Sequence, residues 1–155
     1  MGIEIADHAN EQLLEGINGL IPQLSSSAQP LDFDQLEALV DQPDVYLFIY
    51  RDDSDKSDDP FADTTLPGPI KGMLTLVTFT IPTGVRAWIE DVVVDSELRG
   101  SGVGRKLVEA ACEYAAELGA KTVDLTSRPS REAANRLYQR CGFEQRETNV
   151  YRYAK

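Results

Sequence analysis

The sequence predicts one mixed α/β domain, and three observations predict it. The 155 residues, 42% of them hydrophobic, suffice for one core and are too few for two. Strand-like and helix-like segments alternate in the order β-α-α-β-β-β-α-β-α-β. A strand, helix, strand crossover lies near the middle of that order. No internal repeat is visible.

Each element follows from its local pattern. IEIA at the start is a short strand, and DHANEQLLEGINGLIPQL places Leu13, Leu14, Ile17 and Leu20 at helical spacing, with Asp7 as the expected N-cap. After the turn at Ser25 to Ser27, LDFDQLEALVDQ repeats the pattern through Phe33, Leu36, Leu39 and Val40, until Pro43 ends it. DVYLFIYR and IKGMLTLVTFTI are rich in β-branched and aromatic residues and form strands. Between them the acidic run from Asp52 to Pro69 is expected to be a solvated, partly disordered loop. It departs from a calcium loop, with Asp58 where glycine is needed and Thr64 where glutamate belongs. GVRAWIEDVVVD is a third long strand. A helix from Val103 to Leu118 carries an apolar stripe of Val103, Leu107, Ala111, Tyr114, Ala115 and Leu118, and Gly119 stops it. KTVDLTS is a strand of buried type, SREAANRLYQRC a helix ended by Gly142, and FEQRETNVYRYAK a closing strand or hairpin.

Composition narrows the function. The start MGIEIADHAN lacks a basic segment followed by an apolar one, and no run of about 18 apolar residues is present to span a membrane. The cytoplasm is therefore the expected location. Cys112, Cys141 and the single histidine, His8, do not form a ligand set at zinc spacing. The net charge of −11 is uneven: residues 1–85 hold 15 acidic and 3 basic side chains, residues 86–155 hold 11 and 12. An anionic ligand should prefer the second half and a cationic one the first. No basic stripe with stacking aromatics speaks for nucleic acid.

The chemistry concentrates in EDVVVDSELRGSGVGRKL, where Gly100, Gly102 and Gly104 separate a strand from a helix. Glycines there let backbone N–H groups approach an anion. A dinucleotide fingerprint fails, because Arg105 or Leu107 stands where its third glycine is required. A Walker A loop fails too, because Gly100 leads to Arg105 and Lys106. What remains, Arg99-x-x-Gly102-x-Gly104 at a helix N-terminus, suits a pyrophosphate held by successive N–H groups and the helix dipole.

VVVDSELRGSGVGRKLVEAA resembles the acyl-CoA binding motif of the GNAT acetyltransferase superfamily, and SREAANRLYQRCGF is similar to that family's later helix, a Leu-Tyr pair followed by Gly-Phe. The resemblance implies a GNAT fold over residues 1–155: a mostly antiparallel sheet of about six or seven strands flanked by about four helices. It implies acetyl-CoA as co-substrate and no metal. Its pyrophosphate would lie on Arg99, Gly100, Ser101, Gly102, Val103 and Gly104, and its pantetheine arm along Val92, Val93 and Val94 like an added strand. Arg105 and Lys106 are further candidates for the phosphates. Arg131 stands where the family commonly has an asparagine that touches the cofactor and is a candidate to meet a CoA phosphate or the acceptor; Asn135, one turn on, does not take over that role.

Acetyl transfer to an amine poses two proton problems. An alkylamine of pKa about 10.4 must lose a proton before attack, and a departing thiolate of pKa about 8.5 benefits from gaining one. Tyr138 matches the family's general acid. Glu90 and Asp91 lie on the strand expected to carry the acetyl group; alternation sends them to opposite faces unless a bulge intervenes. Glu90 is the favoured base, Asp91 a ligand for the amine, and Trp88, two residues before Glu90, a candidate wall of the acceptor pocket. A backbone N–H of Val92 or Val93 is expected at the oxyanion. The expected activity is N-acetylation of a primary amine on a small molecule or peptide, of cationic type given the acidic first half, without nucleic acid or membrane partners. A homodimer is compatible with it. The alternative is a noncatalytic acyl-CoA sensor on the same fold.

Overall fold

The computed structural model describes residues 2–52 and 68–155. The acidic loop, apart from its ends, lies outside the described residues. Strands β1 (Ile3–Ala6), β2 (Val45–Arg51), β3 (Ile70–Ile81), β4 (Gly84–Val94) and β5 (Val123–Asp124) stand side by side in chain order. The first four run antiparallel and β5 runs parallel to β4. The parallel pair needs a crossover, and helix α3 (Val103–Glu117) supplies it.

Two cores lie on the two faces of the sheet. Helices α1 (Glu11–Leu24) and α2 (Phe33–Val40) bury Leu13, Ile17, Leu20 and Leu36 against Leu47, Ile49 and Met73. On the other face α3 and α4 (Glu132–Arg140) pack Leu107, Val108, Ala111 and Tyr138 against Phe48, Leu74, Leu76 and Ile89. Within β2, Leu47 and Ile49 face one core and Phe48 the other, as strict alternation demands. In β4 that rule breaks: Ile89 and Val93, an even number of residues apart, face opposite cores. A register shift lies between them, since Thr75 pairs with Glu90 while Met73 pairs with Val93. An extra residue has entered β4 and inverted its facing.

Several elements differ from the sequence expectation. Helix α1 begins after Asn10, whose Oδ1 accepts the Leu13 N–H at 2.8 Å, whereas Asp7 pairs with His8 Nδ1 at 2.7 Å. The nearer side chain wins the cap because only it reaches the first-turn donors. Leu118 caps α3 and is exposed, so the stripe ends at Ala115. Strand β5 keeps two residues, and 144–155 form no strand; among the described residues the sheet therefore has five strands rather than six or seven. Alternation in FEQRETNVYRYAK is a capacity to pair. Among the described residues no strand edge pairs with it.

Candidate active site

The site begins where β4 and β5 separate. They pair only at Ala87 with Val123 and Trp88 with Asp124; beyond Trp88, β4 runs on to Val94, and among the described residues its β5-facing edge has no strand partner. A split parallel pair leaves N–H and C=O groups along one edge, a template for an extended amide chain. Val92 lines the cleft at this edge, Val94 packs against the α3 and α4 side, and Val93 faces the other core.

The bulge acts on the carboxylates. Asp91 adopts φ 52°, left-handed for a residue other than glycine, and the facing inverts there. Both Glu90 and Asp91 consequently line one cleft of about 120 Å³, together with Leu24, Ile89, Val92, Leu125, Thr126, Arg131 and Tyr138. The exception to alternation that the sequence allowed for is the one the backbone takes. Trp88 is not part of this lining; its indole Nε1 donates to Glu90 Oε1 at 2.8 Å and fixes that carboxylate. Partial desolvation, and then the neighbouring Glu90, raise the Asp91 carboxyl above its ordinary value, although the residue stays exposed at the cleft mouth.

Tyr138 is brought in by α4. It is 7% exposed, and its ring lies 6.0 Å from that of Phe143, whose N–H returns to the Tyr138 carbonyl at 3.0 Å. Burial raises its phenol pKa, and the Arg131 charge at the start of α4 opposes the rise. The phenol therefore keeps its proton at neutral pH, as a donor must. Asn135 is engaged elsewhere: its Nδ2 donates to the Arg128 carbonyl at 3.1 Å and closes the loop before α4.

After β4, Asp95 caps a single 3-10 turn at Ser96–Leu98 by accepting the Glu97 N–H at 3.0 Å. Gly100 and Gly102 then take φ of 81° and 90°, and Gly102 caps α3 without a side-chain bond. A β-carbon at either would meet nothing within 4 Å, so these glycines answer a backbone demand and leave the cradle open. The first N–H groups of α3 have no intrahelical acceptor and point out of the helix end beside the turn. Gly104 answers a packing demand instead. A β-carbon there would stand 3.1 Å from Leu137 Cδ2, so its absence lets the cradle helix close on the helix carrying Tyr138. Arg99 and Lys106 are exposed beside the turn, while Arg105 is engaged with Glu109 at 2.6 Å.

Two contacts had no local signal in the sequence. Gln23 at the end of α1 accepts the Ser96 N–H at 2.9 Å and donates to Asp95 at 3.3 Å. Leu24, next to it, lines the cleft. Contacts across more than 70 positions leave no periodicity to detect.

A sheet split between parallel strands, with a glycine turn at the N-terminus of the following helix and carboxylates at a strand bulge, defines an α/β domain with a cleft at the split. The model of the acetyltransferase (GNAT) family matches residues 20–143. The chain belongs to that family. An uncharacterized N-acetyltransferase of Methanocaldococcus jannaschii is 38% identical over 61 residues, 39% of this chain and 27% of that protein. The alignment thus spans about a quarter of that relative. Among solved structures, an aminoglycoside acetyltransferase from an uncultured soil metagenomic sample superposes with TM-score 0.75 at 20% identity, covering 99% of this chain and 95% of the other. Glucosamine-6-phosphate N-acetyltransferase from Arabidopsis thaliana gives TM-score 0.72 at 21% identity, with both chains fully covered. At such identities the structures attest the fold. Family membership implies acetyl-CoA as co-substrate.

Proposed function

We propose that the protein transfers the acetyl group of acetyl-CoA to a primary amine of a cationic acceptor. The observation that carries this is convergence: Glu90 and Asp91, turned to one side by the β4 bulge, and Tyr138, carried by α4, line one cleft at the mouth of the β4/β5 split. The free edge of β4 would hold the pantetheine amides, and the turn from Arg99 to Gly104, with the N-terminus of α3, the pyrophosphate. Tethering the thioester beside the amine-binding carboxylates replaces a bimolecular encounter with a positioned one.

Asp91 binds the incoming ammonium, and Glu90, held by Trp88, takes its proton directly or through a water. The neutral amine attacks the thioester carbonyl, and a backbone N–H meets the oxyanion. Val92 suits this best, since it lines the cleft while Val93 pairs with Met73. As the C–S bond breaks, Tyr138 gives its proton to the thiolate. The acidic residues 1–85 favour a cationic acceptor, and one fold neighbour is described as an aminoglycoside acetyltransferase.

Thiol release from acetyl-CoA, followed across polyamines, amino sugars, aminoglycosides and basic peptides, tests the proposal. Saturable turnover with at least one amine is expected. Tyr138→Phe should lower kcat by roughly 100-fold or more while leaving acetyl-CoA affinity within a few-fold. Tight carrier binding with no turnover across the panel would instead establish a noncatalytic sensor.

A further inference from the structure

We propose that the acceptor is the N-terminus of a peptide, whose free α-amine enters the cleft while the apolar side chains behind it lie on an uncovered strip of β3 and β4. This rests on Glu90 and Asp91 being the amine site of the proposed transfer. The strip is continuous with that site. Trp88 stands two residues before Glu90 on the same side of β4 and donates to its carboxylate at 2.8 Å. On β3 the partners of Glu90, Trp88 and Arg86 are Thr75, Val77 and Phe79, and Ile81 follows opposite Gly84. Paired residues share a face of the sheet. It is the face on which α1 and α2 cover Met73 and Val93, but the cover stops short of the strip. Val77 and Trp88 are half-buried and belong to neither core, and Phe79 and Ile81 are 43% and 37% exposed. Apolar side chains in a row beside a cleft, with no helix over them among the described residues, mark a contact surface.

Length, direction and charge select the occupant. From Thr75 to Ile81 the strip runs roughly 20 Å, so a single sugar or ring would leave most of it uncovered. An extended peptide advances by the same step and sends alternate side chains to one side. With its amine at Glu90 and Asp91, its second side chain falls on Trp88 and Val77 and its fourth on Phe79. The strip leaves the cleft in one direction, toward the β3/β4 turn, which suits a chain that begins at the amine; a lysine inside a chain needs room on both sides. Two carboxylates at the cleft end are the charge complement of an ammonium. At the other end the Arg86 guanidinium donates to Thr83 Oγ1 at 3.2 Å, so a second ammonium lying along the strip would meet a like charge. A peptide can carry its further positive charge beyond the strip.

Trp88 is the chain's single tryptophan, so its fluorescence reports on the strip without any turnover. The full chain is titrated with the amides of Ala-Phe-Ala-Leu and Ala-Asn-Ala-Gln. The apolar peptide should change the emission saturably, with a Kd at least about tenfold below that of the polar one, and acetylating its N-terminus beforehand should remove most of that affinity. Phe79→Ser, at an exposed position, should bring the two peptides within about threefold of each other, and Val77→Thr, of nearly the same shape, should narrow the gap as well. Thermal unfolding checks that both variants fold. Where the peptides are acetylated, kcat/KM should follow the same order. Equal affinities for the two peptides, a gap unchanged in both variants, undiminished binding of the blocked peptide, or phenethylamine binding as tightly as the apolar peptide would each overturn the proposal. Discrimination in binding with no acetylation of any amine would keep the peptide site and remove acetyl transfer, so the two readings fail separately.

Discussion

At Asp91 a carboxylate is held in left-handed backbone that costs an ordinary residue roughly 1–2 kcal/mol, and burial raises its affinity for a proton. The folded chain thus binds this proton more tightly than the unfolded one. Near pH 3 both states hold it and stability is unaffected; as pH rises through the raised folded value, stability is lost. Asp91→Asn, with no charge to bury and a side chain tolerant of left-handed backbone, should raise Tm more at about pH 7.5 than at about pH 3. The same variant should raise KM for a cationic amine and weaken the acid limb of its pH profile. Equal Tm gains at both pH values would show that backbone strain, and not charge burial, is responsible. Strain at a site is tolerated where function needs the geometry. The candidate residues were legible one by one in WIEDVVV, but their convergence was not, because alternation separates neighbours and only a bulge reunites them.

On the proposed reading, carrier binding depends on the turn and helix after β4. Gly102→Ala puts a β-carbon on backbone at φ 90° and should cost about 1–2 kcal/mol, read as a lower Tm by thermal unfolding. Because the strain is relieved by rotating the turn, calorimetry should also show weaker acetyl-CoA binding. An unchanged affinity would separate the turn's conformation from its ligand role. This element was readable in advance, since Arg99, Gly102 and Gly104 encode their geometry locally. The N-cap of α1 was less so: Asp7 and Asn10 are both good caps in isolation, and the packing of Leu13, Ile17 and Leu20 on the sheet chooses between them.

Across the whole molecule the charge division matters most. With 15 acidic residues against 3 basic in residues 1–85, a polycationic acceptor should be drawn in by a field that salt screens over about 10 Å at 0.1 M. KM for such an acceptor should rise several-fold between low and physiological ionic strength, with kcat nearly constant. A singly charged amine should show a much smaller change, and steady-state kinetics in a salt series reads the difference directly. The long-range tie from Gln23 to the Asp95 carboxylate and the Ser96 N–H joins the acidic half to the turn after β4.

The sequence by itself determined the α/β class, the place of the glycine turn, the helix carrying Tyr138 and the charge division, because each is written in local spacing or composition. Tertiary structure alone decided the inversion of β4, the joint facing of Glu90 and Asp91, the two-residue length of β5 and the unpaired course of residues 144–155. Those features depend on which edge meets which. Pairing between distant strands is a property of the assembled sheet, and no window of residues carries it.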